Sequence, residues 1–351
     1  MRGFAVLVMV EAHVLDGWTL VTERQRPGFI NAMVLAGFAA PLFLFLAGVS
    51  LVLSAESKYR KTGDFAESWR AVHRRGWQIF GLAFLFRLQS FILTGGYSLI
   101  GLLKVDILNV MGPAMAVAGM VGGHVKTRGA RAFAFGAIAV AIAMVTPIVR
   151  LTPALNWLPD PVEWYFRPSP ARTNFTLFPW AGFVLAGAVV GMAVNAIRRA
   201  EHPMRLQLGL AAVSFLLAAA GYGASFLPSI YERSEFWTTS PTFFLLRVGI
   251  IVLVLPLAYL WERAPWRGLV SSWSPVEEFG TSSLFVYWIH VEMVYGFISR
   301  PLRRALSLEG AVLAYVLFTA FLLGLVLLKN RWLRLHKAAP LSARGPTPAP
   351  V

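Results

Sequence analysis

The sequence contains no cysteine, and only 14% of its residues are charged. Without a thiol the chain cannot form disulfides, use a thiolate nucleophile, or hold an iron–sulfur cluster or a Cys-ligated zinc ion. Soluble domains average about 25% charged residues, so the low charge also argues against a soluble fold. An HExxH motif, a P-loop and a GxGxxG motif between a strand and a helix are absent too. The sequence therefore gives no sign of a metal site or a nucleotide-binding fold.

Long apolar runs dominate the 351 residues, 57% of which are hydrophobic. Each run is near the ~20 residues that a helix needs to cross a bilayer. Solid apolar blocks, rather than short alternating segments, indicate helices instead of a β-barrel. The predicted fold class is all-α, a polytopic bundle of about ten transmembrane helices. The predicted spans are 3–22, 33–54, 76–94, 105–123, 132–150, 175–197, 206–227, 242–262, 281–299 and 310–330.

The arrangement of basic residues predicts how the chain lies in the membrane. The first apolar run has no cleavage site and is interpreted as a retained span. Lys and Arg are about twice as frequent in the loops on the N-terminal side, which predicts cytoplasmic termini in a bacterial inner membrane. This topology explains the net charge of +15 without a nucleic acid partner. The expected partners of such a chain include membrane lipids. Residues 1–330 are predicted to form one domain, followed by a disordered Pro/Ala-rich cytoplasmic tail, 331–351.

Several ionisable or amide side chains fall inside the predicted spans, where a charge costs roughly 2.5–3.5 kcal/mol on insertion scales. Such residues are functional candidates, although each is also compatible with a structural pairing between helices. Asp106, for example, fits an interfacial helix cap equally well. The set comprises Glu11, His13, Asp16, Arg87, Asp106, Asn109, Arg247, His290 and Glu292.

Helical geometry orders the polar residues of the first span. Arg2 and His13 share a face roughly 16 Å apart along the axis. Asp16 follows on the same side, whereas Glu11 points nearly opposite. The ninth span runs in the same direction, so its central His290 is expected at the depth of His13. A neutral imidazole oriented by a carboxylate, either Asp16 or Glu11, is the usual general base.

Basic residues at the predicted cytoplasmic mouth would attract a phosphate-bearing donor, although they are also a topology signal. Besides Arg2, the candidates for this role are Lys58, Arg60, Lys61, Arg70, Arg74, Arg75, Lys126, Arg128 and Arg131. Asp106, Asn109 and Arg247 are expected nearer the opposite face. Together with Arg87, which is expected at the centre of its span, they are the candidates for holding an acceptor.

Five ordered motifs carry a family resemblance. They are RGFAVLVMVEAH at the start, PLFLFLAGVSLVLS (41–54), VDILNVMG (105–112), FPWAGFVLAGAVVG (178–191) and SLFVYWIH (283–290). In this order they resemble the transmembrane acyltransferase superfamily, which includes the type 3 acyltransferases and the catalytic domain of heparan-α-glucosaminide N-acetyltransferase. The first motif is similar to that superfamily's first helix, and the others are similar to helices of the latter branch.

The resemblance implies a ten-helix acyltransferase. Such an enzyme takes an acyl group, typically acetyl from cytoplasmic acetyl-CoA, and delivers it to an acceptor, usually a sugar, across the membrane. His13 matches the family's catalytic histidine, and Arg2 matches its partner in donor binding. Arg74 and Arg75 lie where relatives carry basic residues before the third helix, and His290 matches a late histidine.

Two other functions fit the same residues. Intramembrane His, Glu, Asp and Arg also suit a proton-coupled transporter or flippase, although internal repeats typical of transporters are not evident. A membrane scaffold would use the polar residues only to pair helices. We expect an acyl-CoA-dependent acyltransferase that needs no metal.

Overall fold

A computed structural model of the chain describes residues 1–93, 99–197, 200–263 and 273–338. Over these residues the chain forms helices and no strand, which confirms the predicted all-α class. The helices are α1 (Arg2–Trp18), α2 (Pro27–Ala36), α3 (Ala39–Thr62), α4 (Phe65–Leu93), α5 (Ile107–His124), α6 (Arg128–Leu151), α7 (Asp160–Glu163), α8 (Leu177–Ile197), α9 (Pro203–Ala224), α10 (Pro241–Glu262), α11 (Pro275–Thr281), α12 (Ser283–Tyr295) and α13 (Leu308–Ala338).

Eight stretches of the described chain are long and apolar enough to cross a membrane, as expected for a polytopic membrane protein. Two of the ten predicted spans correspond to shorter helices. The first is α1, whose 17 residues measure about 26 Å, and the ninth is α12 with 13 residues. The eight stretches are Pro27–Thr62, Phe65–Leu93, Ile107–His124, Arg128–Leu151, Leu177–Ile197, Pro203–Ala224, Pro241–Glu262 and Leu308–His336.

The helices divide into two compact units. The first unit contains α3 to α10. The second contains both ends of the chain, α1 and α2 with α11 to α13. Helix α13 runs past residue 330, where the tail was predicted to begin. Residue 94 of the third predicted span and residues 339–351 of the predicted tail lie outside the described residues.

Close backbone contacts and a tight helix connection shape the first unit. A Cβ built on Gly48 would lie 1.9 Å from the Val184 carbonyl oxygen, so α3 and α8 touch where only glycine fits. Helix α3 ends because Gly63 adopts a φ of +69° and its N–H bonds to the Tyr59 carbonyl. The Asp64 carboxylate then accepts the N–H of a residue in the first turn of α4, which starts that helix.

In the second unit α1 is held at both ends. Near its start, a Cβ on Gly3 would lie 1.8 Å from the Val276 carbonyl oxygen, so α1 rests directly on the backbone of α11. At its other end the Trp18 indole N–H donates to the Val294 carbonyl of α12 over 3.2 Å. Leu306 then donates its N–H to the Trp18 carbonyl over 3.0 Å. Because both ends are fixed, the middle of α1 keeps one register against α12.

Candidate active site

The centre of the second unit is a pair of histidines that face each other from α1 and α12. Nδ1 of His13 lies 2.8 Å from Nε2 of His290, and the two ring centroids are 5.0 Å apart. His290 is fully buried, whereas His13 is half-buried. The structure thus brings together the two histidines that were expected at a common depth in their helices.

Two neighbours on α12 complete the surroundings of this pair. Nδ1 of His290 lies 2.8 Å from the carbonyl oxygen of Val286, one turn earlier in the same helix. The Tyr295 ring meets the His13 ring edge-on, with centroids 5.5 Å apart. These contacts with a carbonyl and an aromatic ring add to the contact between the two imidazoles.

The two carboxylates proposed to orient His13 occupy other surroundings. The Asp16 carboxylate lies 3.3 Å from the Arg24 guanidinium, in an ion pair whose acid is more than half exposed. Glu11 is half-buried on α1. At Nδ1 of His13, the position where an orienting carboxylate would bind, the structure places His290 instead.

Arg2 and Lys329 lie at the same end of the second unit. Arg2 is the first residue of α1 and is exposed. A Cβ on Gly280 would lie 3.8 Å from the Cβ of Arg2, and two residues later Ser282 accepts a hydrogen bond of 2.6 Å from Lys329. The Lys329 ammonium also sits 5.0 Å from the centre of the Phe285 ring. No sequence motif singled out Lys329, which follows an apolar run in the last helix.

In the first unit, the acceptor candidates near the start of α5 form one hydrogen-bonded network. Arg87 forms an ion pair with Asp106, and both side chains are nearly buried. Asp106 caps α5 by accepting the N–H of Ile107 over 2.8 Å, and Asn109 completes the capping box. Asp106 therefore acts as the N-cap of α5, as the sequence also allowed. The amide of Asn109 also donates to the Tyr165 hydroxyl over 3.2 Å.

Tyr165 belongs to the loop between α7 and α8 and was not predicted as a site residue. Burial raises the pKa of its hydroxyl, an effect that the hydrogen bond from Asn109 partly opposes. The phenol therefore stays protonated at neutral pH and is able to donate. Its loop, residues 151–174, is rich in proline and tryptophan, a pattern that indicates only a segment at the membrane interface.

The remaining acceptor candidate, Arg247 on α10, is stabilised differently. Its guanidinium carbon lies 4.0 Å from the centroid of the Phe243 ring, a cation–π contact. Its Nε is buried without a hydrogen-bond partner among the described residues. The structure does not join Arg247 to the network of Asp106 and Asn109 through any hydrogen bond it describes.

Three of the basic donor candidates converge on one carboxylate. Glu67 lies 2.9 Å from Lys58, 2.5 Å from Arg74 and 3.6 Å from Arg70. Arg75 instead donates to a glutamine on its own helix over 3.3 Å. Glu67 was missed by the sequence analysis because only the helix turn at residue 63 brings Lys58 back over α4.

Over the described residues, no three His, Asp or Glu side chains are grouped closely enough to hold a metal ion.

No curated protein matches the chain. A family model described as the catalytic domain of heparan-alpha-glucosaminide N-acetyltransferase matches residues 1–221, which is more than half of the sequence. The matched region contains His13, the whole first-helix motif and the network at the start of α5. The chain therefore belongs to the heparan-alpha-glucosaminide N-acetyltransferase catalytic-domain family, a family of membrane acetyltransferases.

Proposed function

We propose that this protein moves an acyl group, such as acetyl, from cytoplasmic acyl-CoA to a sugar-type acceptor on the outer side of a bacterial inner membrane. Both chain termini would be cytoplasmic. The observation that carries the proposal is the contact between the imidazoles of the half-buried His13 and the buried His290 in a chain of this family. An imidazole is suited to proton transfer or to transient acyl transfer.

His13 would act on the acceptor in one of two ways. As a general base it would take the proton from an acceptor hydroxyl or amine while the acceptor's oxygen or nitrogen attacks the thioester carbonyl. The C–S bond then breaks and CoA leaves as a thiolate, which is protonated on release. Alternatively, His13 itself would attack the thioester and carry the acyl group to the acceptor.

Cations would hold the donor's phosphates by charge-assisted hydrogen bonds. In the second unit, Arg2 and Lys329 lie at the end of α1 from which a thin pantetheine arm would reach His13 along the helix. In the first unit, Arg70, Arg74 and Lys58 form a cationic cluster around Glu67, with Arg75 beside it. Both groups of cations are proposed to bind the phosphates of the donor.

The acceptor would bind through the network at the start of α5. Arg87, Asp106 and Asn109 combine donor and acceptor groups, and the Tyr165 hydroxyl adds a further donor. Alternating donors and acceptors of this kind suit the hydroxyls of a sugar. Arg247, whose guanidinium is buried against an aromatic ring, is proposed as a further acceptor contact.

The proposal is tested by replacing His13 with alanine and measuring acyl transfer in proteoliposomes. Release of CoA thiol can be followed with a thiol reagent without background, because the protein has no cysteine. We expect His13→Ala to lower turnover by about 10²-fold or more, the range for loss of a general base.

His124→Ala is the matched control, because His124 is exposed and its ring hydrogen-bonds to the Met120 carbonyl of its own helix. This variant should retain normal turnover. A folded His13→Ala protein that transfers acyl groups normally would refute the assignment. Solute uptake that does not require CoA would favour the transporter instead.

A further inference from the structure

We propose that His290 is a positioning residue that holds His13 in one tautomer, with the proton on Nδ1 and the reactive lone pair on Nε2. This inference rests on the proposed function and adds the identity of the reacting atom. It replaces the carboxylate of the usual general-base arrangement with a second, neutral imidazole.

The first step is the proton on His290. Its Nδ1 lies 2.8 Å from the Val286 carbonyl oxygen, and a carbonyl can only accept a hydrogen bond. Nδ1 of His290 must therefore carry a proton and donate it. In a neutral imidazole the other nitrogen is then an acceptor. Nε2 of His290 consequently presents a lone pair.

The second step is the geometry between the two rings. Their planes are within 6° of parallel, and the shortest contact joins Nδ1 of His13 to Nε2 of His290 at 2.8 Å. The planes of two parallel rings cannot lie farther apart than the shortest distance between their atoms, which is 2.8 Å here. A plane separation of 2.8 Å or less is too small for face-to-face stacking. The 5.0 Å centroid separation is also close to the sum of this contact and the two ring radii. The rings therefore meet edge to edge, with the N–H of one directed at the in-plane lone pair of the other.

The third step excludes the opposite direction of the hydrogen bond. For His290 to donate from Nε2 as well as from Nδ1, its ring would have to be an imidazolium. That ring has no exposed surface, and its partners in the described structure are an imidazole, a carbonyl and aromatic rings. An unpaired charge there would cost several kcal/mol. His13 is therefore the donor at Nδ1, and in its neutral form Nε2 is the unprotonated nitrogen.

Two substitutions at His290 separate positioning from packing. Glutamine places a carbonyl oxygen near the position of Nε2 and can accept the proton from His13, whereas leucine fills the space without an acceptor. Because leucine offers no hydrogen-bond acceptor to His13, we expect His290→Leu to lower kcat about 10²-fold or more, with little change in the KM for acyl-CoA. His290→Gln should retain kcat within about tenfold of the wild type. Equal losses in the two folded variants, or normal kcat in His290→Leu, would overturn the proposal.

The tautomer can also be read directly in the wild-type protein. The chain has six histidines, so ¹⁵N-histidine labelling in detergent micelles gives few signals, and His13→Gln assigns the pair belonging to His13. We expect His13 to be protonated at Nδ1 and unprotonated at Nε2. The reverse pattern would overturn the proposal whatever the variants do.

Failure of this inference is distinguishable from failure of the proposed function. If His13→Ala transfers acyl groups normally, the enzyme assignment falls. If His13 is essential but the labelled protein shows Nε2–H, the enzyme assignment stands and only the role of His290 is wrong.

Discussion

The two units of the molecule neutralise their buried polar side chains in different ways. In the first unit, charge meets charge in the nearly buried ion pair of Arg87 and Asp106. In the second unit, the fully buried His290 meets the half-buried His13 as a second imidazole. An ion pair fixes both of its partners in their charged forms, whereas an imidazole pair leaves one ring free to gain a proton.

This difference separates stability from reactivity. Removing one partner of a buried ion pair leaves an uncompensated charge, so the first unit should lose stability when its pairs are broken. Replacing a neutral imidazole leaves no charge behind, so the second unit should lose activity first. Substitutions in each unit can test this contrast between stability and activity.

The largest effect is expected at the ion pair of the first unit. Arg87→Leu leaves the Asp106 carboxylate buried alone and should lower the free energy of unfolding by roughly 3–5 kcal/mol. Steric trapping in micelles measures this quantity. Arg75→Leu on the same helix is the control, because Arg75 is exposed and bonds only a neutral glutamine, and its change should stay within about 0.5 kcal/mol.

A double substitution sharpens this test. Adding Asp106→Asn to Arg87→Leu removes the stranded charge while an amide can still cap α5. The double variant should therefore be more stable than Arg87→Leu alone. Additive losses from the two changes would show that the pair contributes little and would weaken the contrast between the units.

The next effect is expected where α1 rests on α11. Gly3→Ala places a methyl group 1.8 Å from the Val276 carbonyl oxygen, so the helix must shift. The strain should cost about 1–3 kcal/mol and reduce acyl transfer as His13 moves from its register. Gly81→Ala in α4 is the matched control, because a Cβ there meets nothing within 4 Å. Equal behaviour of the two variants would show that α1 is not registered by this contact.

A smaller effect is expected in the donor cluster. Glu67→Gln removes the carboxylate that competes with phosphate for Lys58, Arg70 and Arg74. Because these side chains are partly exposed, the change in stability should be small. The KM for acyl-CoA should fall about threefold at low ionic strength and return towards the wild-type value in high salt. A KM that is insensitive to salt in both proteins would remove this cluster from the donor site.

The smallest effect is a pH dependence beyond the end of α1. The hydrogen bond from Arg26 to Glu23 holds the pKa of that carboxyl below its usual value. A group with a lowered folded-state pKa stabilises the protein above its unfolded pKa, and this contribution is lost as pH falls through the folded value. Glu23→Gln should therefore flatten the loss of stability on acidification below about pH 4, near the ordinary glutamate pKa. An unchanged acid profile would contradict the assignment.

Much of the architecture could be predicted from particular residues. The apolar blocks predicted the helices, and the cap at Asp106 followed from its position before an apolar run. The short helices α1 and α12 were harder, because their flanks stay apolar after the helical backbone ends. Glu67 and Lys329 were missed because their partners are close in space through a helix turn or another helix.

The sequence by itself determined the helices and the family, and it singled out His13 as a catalytic candidate, because apolar period and local motifs are properties of consecutive residues. Only the tertiary structure decided what His13 touches. Asp16 lies on the predicted face, yet it pairs with Arg24, while Nδ1 of His13 meets a histidine 277 positions away. Helical spacing fixes which residues share a face, but the partner of that face is set by packing between helices distant in the chain.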